Sequence, residues 1–223
     1  MSFLGSLWDS LKKLNLALAA AGQKPASPAP IPVPVAPSPA PAPQVPAAPA
    51  PSASFDIAVT FTLQNEGGYS DIPQDAGGPT NYGIVESDLS SFLGHSVTAD
   101  DIKNLSLDTA KAIYKANYWN PAFEQLSQPV ATAIFDWGVL HGPTSSQKLA
   151  QNVANGLGAS LVCDGVIGPA SVAAINAIPA DKFVAAFANA MKSWFASDVA
   201  GNPSQKIFLA GWNARADRIA ALA

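Results

Sequence analysis

From residue 55 onward, apolar residues recur at three- and four-residue steps, and this period predicts a mainly α domain. A first helix is expected over 56–66, after Ser54, with Ile57, Phe61 and Ala58 turned inward. The segments from Thr98 to Leu105 and from Ser106 to Tyr118 each begin with a side chain able to cap free backbone N–H groups. Further helices fit 129–140, 144–156 and 169–177, with Pro169 at a first-turn position where the missing N–H is not needed. Pro179 opens a helix over 180–198, and Asn202-Pro203 opens a last one to about residue 221. Gly67-Gly68, Gly77-Gly78 and Gly94 mark loops. Strand signals are few, and a small β element fits within 69–84.

The first 54 residues follow other rules. Phe3, Leu4, Leu7, Trp8, Leu11, Leu14 and Leu18 fall on one helical face, while Asp9, Lys12 and Lys13 lie elsewhere on the wheel. Residues 1–24 are therefore expected to hold an amphipathic helix, too interrupted by charge to span a bilayer. A secretory signal is the competing pattern. It fits less well, because the lysines stand midway and Asp9 precedes them. The helix suits a membrane surface or a protein partner, through residues 3–21. Residues 25–54 contain twelve of the twenty prolines and no charged residue. Such a stretch cannot bury a core; it is expected to be an extended spacer, reaching roughly 90 Å when fully drawn out.

Charge narrows the partners. The body carries fifteen Asp and Glu against nine Lys and Arg, whereas residues 1–24 have three lysines against one aspartate. An acidic body argues against nucleic acid. Cys163 stands alone, so no intrachain disulfide forms; it is either a small filler before a turn or a thiol served by His95 or His141.

The densest chemistry lies in Glu66-Gly67-Gly68-Tyr69 and in Asp75-Ala76-Gly77-Gly78-Pro79-Thr80-Asn81-Tyr82-Gly83-Ile84. A carboxylate at a helix end, followed by a loop with a second carboxylate and a hydroxyl, suits hydrolysis of a sugar bond. If apolar surroundings desolvate Glu66, it can stay protonated as a general acid; otherwise it is a solvated helix-end glutamate. Asp75 is the candidate second carboxylate and Asp71 its rival, the latter also suited to capping a turn. A calcium loop is disfavoured, because Pro73 stands where an oxygen donor is needed. Tyr69, Tyr82, Tyr118 and Trp119 are either sugar platforms or core aromatics. Asn81 either bonds an acetamido group or holds its own loop, and Glu86 is expected to face solvent on the next helix. Asp136 reads as a buried structural carboxylate bonded to loop backbone, and His141 as a helix-end cation.

These runs, with Tyr118-Trp119, Phe135-Asp136-Trp137-Gly138-Val139-Leu140-His141-Gly142-Pro143 and Asp164-Gly165-Val166-Ile167-Gly168-Pro169, resemble glycoside hydrolase family 108, the bacterial and phage N-acetylmuramidases. The resemblance implies a lysozyme-like fold with a catalytic part at 55–125 and a helical, peptidoglycan-binding-like part at 126–223. It implies Glu66 as the acid, Asp75 and Thr80 as water-positioning groups, no cofactor, and cleavage of the N-acetylmuramic acid to N-acetylglucosamine β-1,4 bond. Four residues separate Asp75 from Thr80, one fewer than in phage-type lysozymes, so Thr80 departs from that pattern. The activity so implied is that of a phage endolysin or a wall-remodelling muramidase, made in the bacterial cytoplasm and acting in the periplasm or cell wall. Two other readings are a non-catalytic wall-binding protein, and a muramidase docked to a secretion apparatus or phage particle through its N-terminal helix.

Overall fold

The computed structural model describes residues 52–70 and 78–223. The N-terminal amphipathic segment, the spacer to Pro51, and the loop carrying Asp71 and Asp75 lie outside the described residues. In chain order, α1 (Phe55–Leu63) leads to an antiparallel hairpin of β1 (Thr80–Asn81) and β2 (Ile84–Val85). Then come α2 (Glu86–Leu93), α3 (Ala99–Lys103) and α4 (Leu107–Tyr118), and a 3₁₀ turn at Pro121–Gln125. Next are α5 (Gln128–His141), α6 (Pro143–Gly156), α7 (Pro169–Asn176) and α8 (Ala180–Gly201). A second 3₁₀ turn (Pro203–Phe208) precedes α9 (Leu209–Ala220). Among the described residues the fold is mainly α, as the apolar period predicts, with one small hairpin at 80–85, ending one residue past the 69–84 expected.

α5 is the axis of the molecule. Every residue from Val130 to His141 is buried, as expected for a helix that is apolar nearly all round. α1, α6 and α8 pack against it, and α9 lies along α8. One core runs from Ala53 to Ile219, so both halves of the chain contribute to it. Each large side chain in it, such as Ile134, Phe135 or Trp137, adds about 1.5–3 kcal/mol by leaving water.

Local signals set the starts of the helices. Thr98 caps α3 in a reciprocal box: its backbone N–H donates to Asp101 Oδ2 at 2.8 Å, while its hydroxyl accepts from the Asp101 N–H. A cap of this kind is worth about 1 kcal/mol. It also holds the exposed Asp101 carboxyl below its ordinary range, through the Thr98 backbone first and the Thr98 hydroxyl second. Ser106 caps α4 through the N–H of Thr109, and Pro169 opens α7.

Three details differ from the expectation. α1 buries Ala58 as expected, but its other buried residues are Val59 and Thr62, whereas Ile57 is 57% exposed and Phe61 only partly covered. Small residues on the inner face let α1 approach α5 closely enough for Thr62 to donate to Asp136 Oδ1 at 2.9 Å. α1 also stops at Leu63; Glu66 stands beyond it, on a tighter turn in which the Glu66 N–H donates to the Leu63 carbonyl. Finally, Ala53 and Ser54, assigned to the spacer, are clamped to the body. The Ala53 N–H donates to the Glu124 carbonyl at 3.1 Å. The Ser54 N–H donates to Gln128 Oε1 at 2.6 Å, and Gln128 Nε2 returns a bond to the Ser54 carbonyl at 3.1 Å.

Candidate active site

Glu66 is buried, only 3% exposed, at the turn after α1. Its Oε1 accepts from Arg215 Nη1 at 2.9 Å, from a helix 149 residues away in sequence. The same guanidinium grips Asp136 of α5 with two bonds, Nε to Oδ2 at 2.8 Å and Nη2 to Oδ1 at 2.7 Å. A cation shared by two carboxylates results, sealed among α1, α5 and α9. Burial alone would push the Arg215 guanidinium down; the Asp136 and Glu66 charges outweigh it and hold it well above its ordinary range.

The hairpin tip closes over the other side of Glu66. Tyr82 and Gly83 both have positive φ, +52° and +75°, as a two-residue hairpin turn requires. At Gly83 the requirement is also spatial: a Cβ there would stand 2.8 Å from Tyr114 Oη and 3.1 Å from Glu66 Oε2. Tyr82 has no such freedom, and its left-handed backbone costs about 1–2 kcal/mol. The Tyr114 hydroxyl holds it by donating to the Tyr82 carbonyl at 2.8 Å. Burial, and then the Glu66 charge, push Tyr114 far up; burial, Asp88 and Glu66 do the same to Tyr118. Both phenols stay protonated donors beside the carboxylate.

The other candidates separate into site and scaffold. Thr80 is buried on β1, its backbone paired in both directions with Ser70 at 2.8 Å, which brings it to the strand leading into the Tyr82-Gly83 tip. Tyr69 is exposed beside the site, and Tyr82 and Tyr118 are partly covered by the core. Trp119 belongs to the scaffold: its ring meets Phe55, Phe123 and Phe135 edge-on, so its faces are not offered to a sugar. Asn81 is also a scaffold tie, because Nδ2 donates to the carbonyls of Ile102 and Lys103 at 3.1 and 3.2 Å. Glu86, expected to face solvent, is half-buried at the first position of α2. Asp136 is buried as expected, but its partner is a guanidinium, not loop backbone.

His141 corrects the expectation of a helix-end cation. Its ring lies between Trp137 and Trp194, with centroids 3.9 and 4.1 Å away. Burial first, and then the Arg215 charge, push it down to about 3, so it is neutral near pH 7. Cys163 is half-buried among amides, donating to Asn152 Oδ1 and accepting from Asn155 Nδ2 at 3.4 Å, so it is a hydrogen-bonded thiol and not an apolar filler.

The turn from Asp164 to Pro169 is fastened to α6. Gln151 Nε2 donates to Asp164 Oδ1 at 2.8 Å and to the Val166 carbonyl at 3.1 Å, and Gln151 Oε1 accepts from the Gly165 N–H. Gln147 Oε1 accepts from the Ile167 N–H at 2.9 Å. The bond from Gln151, with one from the Val166 N–H, holds the exposed Asp164 carboxyl low.

The family described as glycosyl hydrolase 108 matches residues 59–142, a span that contains Glu66, Thr80, Gly83 and Asp136. SagA of Brucella abortus is similar in structure, with a TM-score of 0.62 and 32% identity over 75% of this chain and 91% of that one. The chain belongs to glycosyl hydrolase family 108. It is therefore a glycoside hydrolase, acting on peptidoglycan as the family does. No curated protein matches the chain. The family match ends before Arg215, the residue that ties Glu66 to Asp136, so the site as folded extends beyond the matched span.

Proposed function

We propose that this family 108 enzyme is an N-acetylmuramidase that cleaves the β-1,4 bond from N-acetylmuramic acid to N-acetylglucosamine. Glu66 is the general acid: it protonates the glycosidic oxygen as the bond to the muramic acid C1 breaks. Asp75, aided by Thr80, orients water toward C1 and takes its proton, so that the anomeric centre inverts. The observation that carries this reading is the buried Glu66 carboxyl, fixed on one oxygen by Arg215 and bordered on the other by the Tyr82-Gly83 tip.

An endolysin role suits the remainder of the chain. A basic segment with an amphipathic sequence pattern, drawn to anionic headgroups and followed by a long uncharged proline-rich stretch, would let the enzyme reach the wall from a membrane surface. The site of action is then the periplasm or cell wall.

The test compares the full-length protein with Glu66→Gln on purified Gram-negative peptidoglycan, identifying the fragments by mass spectrometry. Muropeptides ending in reducing muramic acid should come from wild type, with the rate at least about 10²-fold lower in the variant. Equal release by the two proteins would remove Glu66 from the acid role. Fragments ending in reducing glucosamine would overturn the bond assignment.

A further inference from the structure

An acid that must begin its cycle protonated stands 2.9 Å from a permanent cation. That is a conflict, because a guanidinium at this distance favours the carboxylate. Its resolution lies on the other side of the guanidinium. We propose that Arg215 and Asp136 are positioning residues for Glu66: Arg215 fixes Oε1, and Asp136 absorbs enough of its charge for Glu66 to keep the proton it donates. The inference rests on the reading of Glu66 as the general acid.

The geometry assigns the shares. Arg215 spends two N–H bonds on Asp136 in a bidentate pair and one on Glu66, so Asp136 is the stronger partner. The Thr62 hydroxyl donates to Asp136 Oδ1, which holds that side chain in register with the guanidinium. Nη1 engages Glu66 Oε1, while Oε2 lies on the Gly83 side. The transferable proton is thus carried on Oε2, and Oε1 goes on accepting from Arg215 before and after transfer.

Among the described residues, the other titratable groups around this cluster do not supply the compensation. From α4, Tyr114 and Tyr118 face Glu66 and are neutral. Asp88 of α2 acts on those two phenols. His141 of α5 faces Arg215 and is neutral as well. Asp136 is the anion in direct contact with Arg215 on the side away from Glu66.

A pure staple joining α1, α5 and α9 would stabilise the fold without touching the pH dependence of hydrolysis, and this difference provides the test. Initial rates on purified peptidoglycan are measured for full-length wild type, Asp136→Asn, Asp136→Asn/Arg215→Gln and Glu66→Gln, from about pH 4 to about pH 9. Thermal melts confirm that each variant is folded at the assay temperature. Activity needs protonated Glu66, so it declines as pH rises through the alkaline limb. Asp136→Asn leaves Arg215 undercompensated and should move that limb down by about one pH unit. The double variant replaces the ion pair with an amide pair, leaves no unpaired cation, and should move the limb above that of wild type with a lower maximal rate. If Asp136→Asn does not fold, the double variant carries the test alone. Limbs coincident with wild type, with only the melting temperature lowered, would overturn the inference and leave a staple. Wild-type rates in Glu66→Gln would overturn the acid assignment itself, which is a separate result.

Discussion

The cluster around Arg215 and the cluster around Gln151 both tie remote groups to a helix, but the first is a buried set of charges and the second is a neutral amide that grips backbone and the exposed Asp164 carboxylate. Arg215 reaches partners 79 and 149 residues away, on α5 and beyond α1. Gln151 reaches partners 13 to 20 residues away, all in one turn and the start of α7. A buried ionic cluster gives little net stability over an apolar core, yet loses much if one member is removed. The Gln151 cluster fails more gently, because its one charged partner, Asp164, is exposed and can be solvated, and the other groups left behind are dipoles. The expensive construction sits at Glu66 and the cheaper one at the turn, as expected where charge is needed for chemistry in one place and only shape in the other.

Breaking each cluster at its hub sharpens this contrast most. Arg215→Met should cost about 3–5 kcal/mol in denaturant unfolding, since it leaves Glu66 and Asp136 buried together without a cation. Gln151→Met should cost about 1–3 kcal/mol. Equal losses would mean that the Arg215 cluster is no more tightly coupled than the Gln151 cluster.

Acid exposes the charged cluster next. His141 is neutral in the fold down to about pH 3, whereas in the unfolded chain it titrates near 6.5. Between those values the unfolded state binds a proton that the folded state does not. Stability therefore falls as pH drops, by about 1.4 kcal/mol per unit. His141→Phe, which keeps a ring between Trp137 and Trp194, should flatten that slope in unfolding titrations. An unchanged slope would show that other groups carry it.

The smallest effects separate chemistry from shape. Gly83→Ala and Gly165→Ala each place a methyl group on a left-handed residue, with its Cβ 2.8 Å from Tyr114 Oη and from Thr144 Cγ2 respectively. Each should cost about 1–2 kcal/mol in stability. Only Gly83→Ala, which also crowds Glu66 Oε2, should lower kcat in the folded protein. A matching kcat loss in Gly165→Ala would tie the distant turn to the reaction.

Much of this fold was legible because its signals are local. Thr98, Ser106 and Pro169 announce helix starts by chemistry that acts within four residues, and Glu66 is announced by the loop that follows it. The inner face of α1 was legible only at Ala58. Its residues are apolar on several sides, and Ala58, Val59 and Thr62 face inward because Thr62 has a polar partner on α5. Trp119 and Asn81 carried the chemistry of ligand binders, and only the packing of Phe55 and the carbonyls ending α3 show them to be scaffold. Arg215 was missed altogether. Its signal was present nonetheless: with Trp212, Ala216 and Ile219 it stands on the buried stripe of α9, where a charged residue requires a partner. The identity of that partner lies in the fold alone.

The clamp at Ala53 and Ser54 has a mechanical meaning. A pull transmitted along the proline-rich spacer enters the body where backbone and amide bonds join it to Glu124 and Gln128. The load is taken in shear by the first turn of α5 and the 3₁₀ segment before it. α1, with Glu66 beyond its far end, lies downstream of that anchor and is spared the strain. Were the N-terminal end held, the enzyme could be tugged on a taut, cross-linked mesh without its acid being drawn out of place.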